Sequence, residues 1–142
     1  MKSIFETLVS FLLPTSAPRK IYAWQDDPIE STVGIHVVPH FGEDPTEFYS
    51  EISQDSVRAA LRSVDWENGF HQVVVVISPG ISMEVGGSLN PDHGLSASYR
   101  NRLEGSEAVT REAPETISRL EAILLAFLEP GDSWQQVQVF DF

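Results

Sequence analysis

Residues 70–78 read FHQVVVVIS. Val73 to Ile77 is an unbroken run of five β-branched side chains, which suits a strand buried on both faces. Pro79-Gly80 follows as a tight-turn dipeptide. Beyond it, Ile81, Met83 and Val85 alternate with Ser82 and Glu84, the period of a strand with one wet face. These residues predict a hairpin that Gly86-Gly87 ends. Asn90 to Gly94 reads as a loop, and Leu95 to Arg100 (LSASYR) returns as a third strand.

Working outward, Pro114 suits the first position of a helix running to Glu129, with Glu112 and Glu115 at its positive end. Ile117, Leu120, Ile123, Leu124, Phe127 and Leu128 supply its apolar face, and Pro130-Gly131 ends it. Trp134 to Phe142 reads as a closing strand with Val137 and Val139 on one face. Upstream, Asn68-Gly69 is a turn signal. A helix is predicted over Ser53 to Ser63, capped by Ser53 or Asp55, with Val57, Ala60, Leu61 and Val64 as its stripe. Pro39 to Pro45 is turn-rich, Val33 to Val38 reads as a strand, Asp26-Asp27-Pro28 as a turn, and Lys20 to Trp24 as a short strand. Pro14 to Pro18 is a connector. Ile4, Phe5, Leu8, Phe11 and Leu12 recur at helical spacing, so residues 1–13 are expected to form an amphipathic helix packed on the core. Glu6, Thr7 and Ser10 break the apolar run that a secretory signal needs.

The predicted order is α-β-β-α-β-β-β-α-β, with no internal repeat. Hairpin-linked strands between separated helices point to α+β, with a mainly antiparallel β-sheet and helices packed on it. The 70–78 strand belongs at or near the centre of that sheet, with the 114–129 helix on one face. At 142 residues the chain is expected to be a single domain spanning 1–142.

Composition excludes several functions. Asp+Glu number 21 against 9 Lys+Arg, a formal net charge of −12. A nucleic-acid binder carries a basic patch, and a surface this acidic is also repelled by anionic lipid. No cysteine is present, which removes disulfides, thiolate metal sites and a Cys nucleophile. No apolar run is long enough for a transmembrane helix. The cytoplasm is the expected compartment.

No motif spells out a reaction. His36 and His40 have i, i+4 spacing, but Val37-Val38-Pro39 disfavours a helix there. In an extended chain residues four apart sit about 13 Å from one another, too far for one metal ion. Gly86-Gly87-Ser88 lacks the lysine and following helix of a phosphate loop, and no GxSxG elbow occurs. Glu84 and Asp92 have no spacing that marks a catalytic pair, and Asp92-His93-Gly94 reads as a polar turn. No catalytic residue, metal or cofactor is expected.

Charge is unevenly placed. Between Lys20 and Arg58 lie Asp26, Asp27, Glu30, Glu43, Asp44, Glu47, Glu51 and Asp55, with no base. Trp24, Phe41, Phe48 and Tyr49 fall in the same window and could anchor an interface. The window is either a solvated face that maintains solubility or a docking surface for a basic partner, which it would steer electrostatically. The candidate contact residues are Trp24, Asp26, Asp27, Glu30, Glu43, Asp44, Glu47, Tyr49 and Glu51.

The strand pair with its glycine exit (ISMEVGG, 81–87) is followed by a Tyr-bearing strand (LSASYR, 95–100). A Pro-started helix follows at Ala113-Pro-Glu115, and then Gly131-Asp-Ser-Trp134 before a final strand. Over roughly residues 70–142 this succession resembles the immunity proteins of bacterial polymorphic toxin systems. The resemblance implies a small acidic protein that binds a cognate toxin domain and blocks it, with no catalytic residues of its own. Many such toxins act on nucleic acid through basic clefts, which an acidic inhibitor can fill in place of phosphate. Two other readings stay open: an acidic interaction module such as a secretion chaperone or adaptor, and a small ligand-binding domain or enzyme. A deep pocket with convergent polar groups would favour the last.

Overall fold

The computed structural model describes residues 23–39 and 45–142. The expected helix at 1–13, the connector after it, residues 20–22 of the expected first strand, His40, Phe41, Glu43 and Asp44 lie outside the described residues. The elements in chain order are β1 (Gly34–Val38), β2 (Glu47–Tyr49), α1 (Gln54–Arg62), β3 (His71–Ser78), β4 (Ile81–Gly87), β5 (Leu95–Asn101), β6 (Ser106–Thr110), α2 (Ile117–Phe127), α3 (Trp134–Val137) and β7 (Phe140–Asp141). All seven strands form one antiparallel sheet in the order β2-β1-β3-β4-β5-β6-β7. The α+β architecture read from the sequence is therefore the one the chain adopts. β3 lies one place from the middle strand, β4.

The valine run behaves as its composition predicts. Val73 and Val75 face the helices and join a core with Ile35, Val37, Met83, Val85 and Ala97. Val74 and Val76 alternate to the other face, yet are only 4% and 0% exposed. Ile77 is the exception: it is 40% exposed where β3 approaches its turn.

α1 starts where Ser53 caps it. The Ser53 hydroxyl accepts from the Ser56 amide at 3.1 Å, and the Ser53 amide donates back to the Ser56 hydroxyl at 2.8 Å. Val57, Ala60 and Leu61 lie on its buried side. α2 is capped by Thr116, whose hydroxyl accepts from the Arg119 amide at 3.1 Å, and buries Leu120, Ile123, Leu124 and Phe127.

Four expectations are corrected. Trp24–Asp26 is a single 3-10 turn rather than the end of a strand, because the chain folds back into the Asp27 turn at once. Pro114 precedes α2 instead of opening it, since Thr116 has the hydroxyl that caps. Trp134–Val137 is a short helix, and only Phe140–Asp141 is strand. Trp134 is held there by its ring, stacked on Tyr99 at 4.6 Å and edge-on to Phe140 at 4.7 Å. Finally, β2 and β6 exist where no strand was expected.

The segment before β1 is fixed to the turns at one end of the sheet. The Gly80 amide donates to the Glu30 carbonyl at 2.9 Å. The Arg102 guanidinium grips both Glu30 carboxylate oxygens, at 2.7 and 3.1 Å. The Trp24 ring lies 3.0–3.2 Å from where a Cβ on Gly80 would stand, and the backbone there has a φ of +86°, which favours glycine.

Candidate functional site

Asp27 builds the turn that begins the site. Its carboxylate accepts from the Ile29 amide at 2.8 Å, and its carbonyl accepts from the Ser31 hydroxyl at 2.6 Å. The turn delivers Thr32, whose carbonyl takes a hydrogen bond from His36 Nε2 at 2.9 Å. That bond places the proton on Nε2 and orients a ring that is itself buried. Phe48 of β2 pairs with His36 in register and lies over it, ring centroids 4.9 Å apart. Gly34 makes this approach possible: at φ +143° it leaves open the space that a Cβ would take from Phe48 and the Tyr49 carbonyl.

The result is an open cleft of about 220 Å³ lined by Pro28, Ile29, Thr32, His36, Pro45 and Phe48. Phe48 is 47% exposed beside it. The cleft adjoins β2, the terminal strand of the sheet.

The nine candidate residues divide into three groups. Asp26, Glu47 and Glu51 are exposed and make no ion pair among the described residues. Trp24, Asp27, Glu30 and Tyr49 are structural. Trp24 packs on Gly80, Asp27 forms the turn, and Glu30 is clasped by Arg102, whose own pKa rises mainly through that hydrogen bond. Tyr49 packs against the core and donates its hydroxyl to Glu47 at 3.0 Å. Burial first, and that bond second, push the phenol above its usual range. Glu43 and Asp44 lie outside the described residues. Asp55 is exposed in the first turn of α1.

Sequence reasoning placed Phe48 in the acidic window but missed the rest of the cleft. Pro28-Ile29 directly after an aspartate turn was the available signal. His36 gave none, because its role depends on a partner strand three residues long.

Other constellations are committed elsewhere. The Glu84 carboxylate holds Gln72 at 2.6 Å and Arg100 at 2.9 Å. Ser88 Oγ and His93 Nδ1 are 3.2 Å apart, a spacing that a nucleophile and its base would share. The Ser88 hydroxyl is fully buried and accepts from the Asn90 amide, so it ties down the 88–94 loop. A larger cleft of about 480 Å³ contains Arg111 and Arg119. Arg111 clasps Asp141 at 2.7 Å, and Arg119 donates to the Val137 carbonyl at 2.7 Å. Among the described residues, no group of three His, Asp or Glu side chains is placed to hold a metal ion, and no helix is long and apolar enough to cross a membrane.

No known family matches the chain, and no significant match is found among curated proteins or solved structures.

Proposed function

We propose that the protein is an immunity protein that binds a basic toxin domain and neutralises it by stoichiometric occlusion. The observation that supports this is the apolar cleft beside β2, in a stretch of chain whose exposed acids Asp26, Glu47 and Glu51 are free of ion pairs among the described residues. An apolar anchor point on an acidic stretch of chain gives a basic partner both contact area and steering. Arg58, Arg100 and Arg111 are engaged with Glu121, Glu84 and Asp141, and Arg102 neutralises Glu30 within the window; Arg62, exposed and without an ion pair among the described residues, stands near Tyr49 and offsets part of the charge there. The protein contributes no chemistry in this reading; it fills a basic cleft in place of the toxin's phosphate-bearing substrate.

The test is co-expression with the product of the adjacent upstream gene, followed by pull-down and a growth assay. A complex that restores growth, with protection saturating near equal amounts of the two proteins, is the expected result. Protection at far lower amounts would instead indicate an enzyme acting on the toxin. A complex without toxicity or rescue would favour a chaperone or adaptor.

A further inference from the structure

Building on the docking role proposed above, we infer how the partner binds: an extended basic–apolar–basic segment adds as a further strand along the edge of β2 that no described residue pairs, and sets its apolar side chain against Phe48 beside the cleft. β2 is the first strand of the sheet, hydrogen-bonded to β1 on one side, and no described residue pairs with its other side. An exposed edge of this kind offers unpaired backbone N–H and C=O groups to an incoming strand.

The register specifies what that strand must carry. Phe48 pairs with His36, so both project on the face that holds the cleft. An added strand lies about 4.8 Å from β2, and its residue opposite Phe48 projects on that same face, beside the cleft. Its two neighbours project the other way, on the side of Glu47 and Tyr49, with Glu51 two residues further along. An apolar residue flanked by two bases therefore meets Phe48 at the centre, the Glu47 carboxylate on one side, and the Tyr49 phenol on the other, with Glu51 beyond the end of the strand and Arg62 near the phenol.

The opposite edge of the sheet is built differently. At β7, Arg111 closes on Asp141, and Arg119 bonds the chain just before the strand. Those guanidinium groups repel a basic segment. The acids at β2 in turn repel a second copy of the same edge, so the charge that attracts the partner also opposes self-association.

The experiment titrates the full chain with the capped peptide Thr-Lys-Leu-Lys-Thr at low salt, following backbone amides by NMR. Amide shifts at residues 47–49 and at His36 are expected. Replacing the central Leu by Ser should weaken binding at least about tenfold. Replacing both Lys by Glu should abolish it, and the double variant E47Q/E51Q should weaken it several-fold while keeping an otherwise unchanged spectrum. Alternate backbone amides of an added strand face β2, so N-methylating either the Leu or both Lys residues should abolish binding in one case and spare it in the other. Equal binding by both methylated peptides, shifts confined to other surfaces, or no shifts at millimolar peptide would overturn strand addition. The two proposals fail separately. A neutralised toxin without peptide binding at β2 leaves the immunity role standing, whereas peptide binding at β2 without any neutralised toxin leaves the strand site and removes that role.

Discussion

Gly34 decides whether β2 exists. A Cβ there would lie 2.5 Å from Phe48 Cε1 and 2.6 Å from the Tyr49 carbonyl oxygen, on a backbone at φ +143° that L side chains rarely adopt. Gly34→Ala should cost about 1–3 kcal/mol and displace β2, with amide exchange at residues 47–49 accelerating ahead of the rest of the sheet. Unchanged exchange there would show that the strand accommodates a methyl group. Two exposed aspartates contribute to the acid limb of stability. Asp65 is held below the usual carboxyl range mainly by the Asn68 side chain, and Asp141 mainly by Arg111. A carboxyl with a lowered folded pKa stabilises fully above its unfolded value of about 3.9, and that stability is lost as pH falls through the folded value. Thermal stability should therefore fall below about pH 4, and Asp141→Asn should flatten part of that fall. A D141N profile parallel to the parent would remove the Arg111 pair from the account.

The helices show what packing contributes at the level of an element. Leu124 is fully buried between α2 and the sheet, so Leu124→Ala should cost about 2–5 kcal/mol in urea unfolding. A loss below about 1 kcal/mol would mean the site collapses around the smaller side chain. Elements of this kind were legible in the sequence. The 73–77 run, the Pro79-Gly80 turn and the 81–87 alternation located β3 and β4, and the Ser53 cap located α1 to within a residue. What could not be read had no local signal. Glu47-Phe48-Tyr49 is a strand only because β1 pairs with it, and SEAVT of β6 only because β5 and β7 flank it. The Val137 and Val139 alternation suggested a strand, but the stacking of Trp134 on Tyr99 imposes a helical turn first. The candidate site was half legible for the same reason. Local charge identified the acidic window, whereas its division into structural and free carboxylates depends on Arg102, far along the chain.

For the molecule as a whole, that division determines how its charge can be tested. Reversing Asp27 or Glu30 would break the turn or the Arg102 clasp, so either change mixes docking with folding. Reversing Asp26, Glu47 and Glu51 to Lys alters only exposed groups. Association with a basic toxin domain should slow about tenfold or more in this variant, and the wild-type rate should itself fall as salt rises. Stopped-flow association rates check both. A wild-type rate in the triple variant, with melting unchanged, would reduce the acidic window to a solubility device.

The sheet order carries one more consequence. β3 to β6 follow one another as a meander of adjacent hairpins, but β1 reaches β3 across the whole of α1, and β7 reaches β6 across α2 and α3. Contacts close in sequence form with little loop-closure entropy, so the meander can organise before either flank arrives. β2, hydrogen-bonded among the described residues to β1 alone, is then an outer layer of the sheet and opens at lower free energy than the meander. Native-state hydrogen exchange should be slowest at residues 73–76, 83 and 85 and faster at the edge residues 47–49. The β2 edge can thus open and re-form many times in the life of a molecule whose centre stays closed, which would leave it free to adjust to the proposed partner strand without risking the fold.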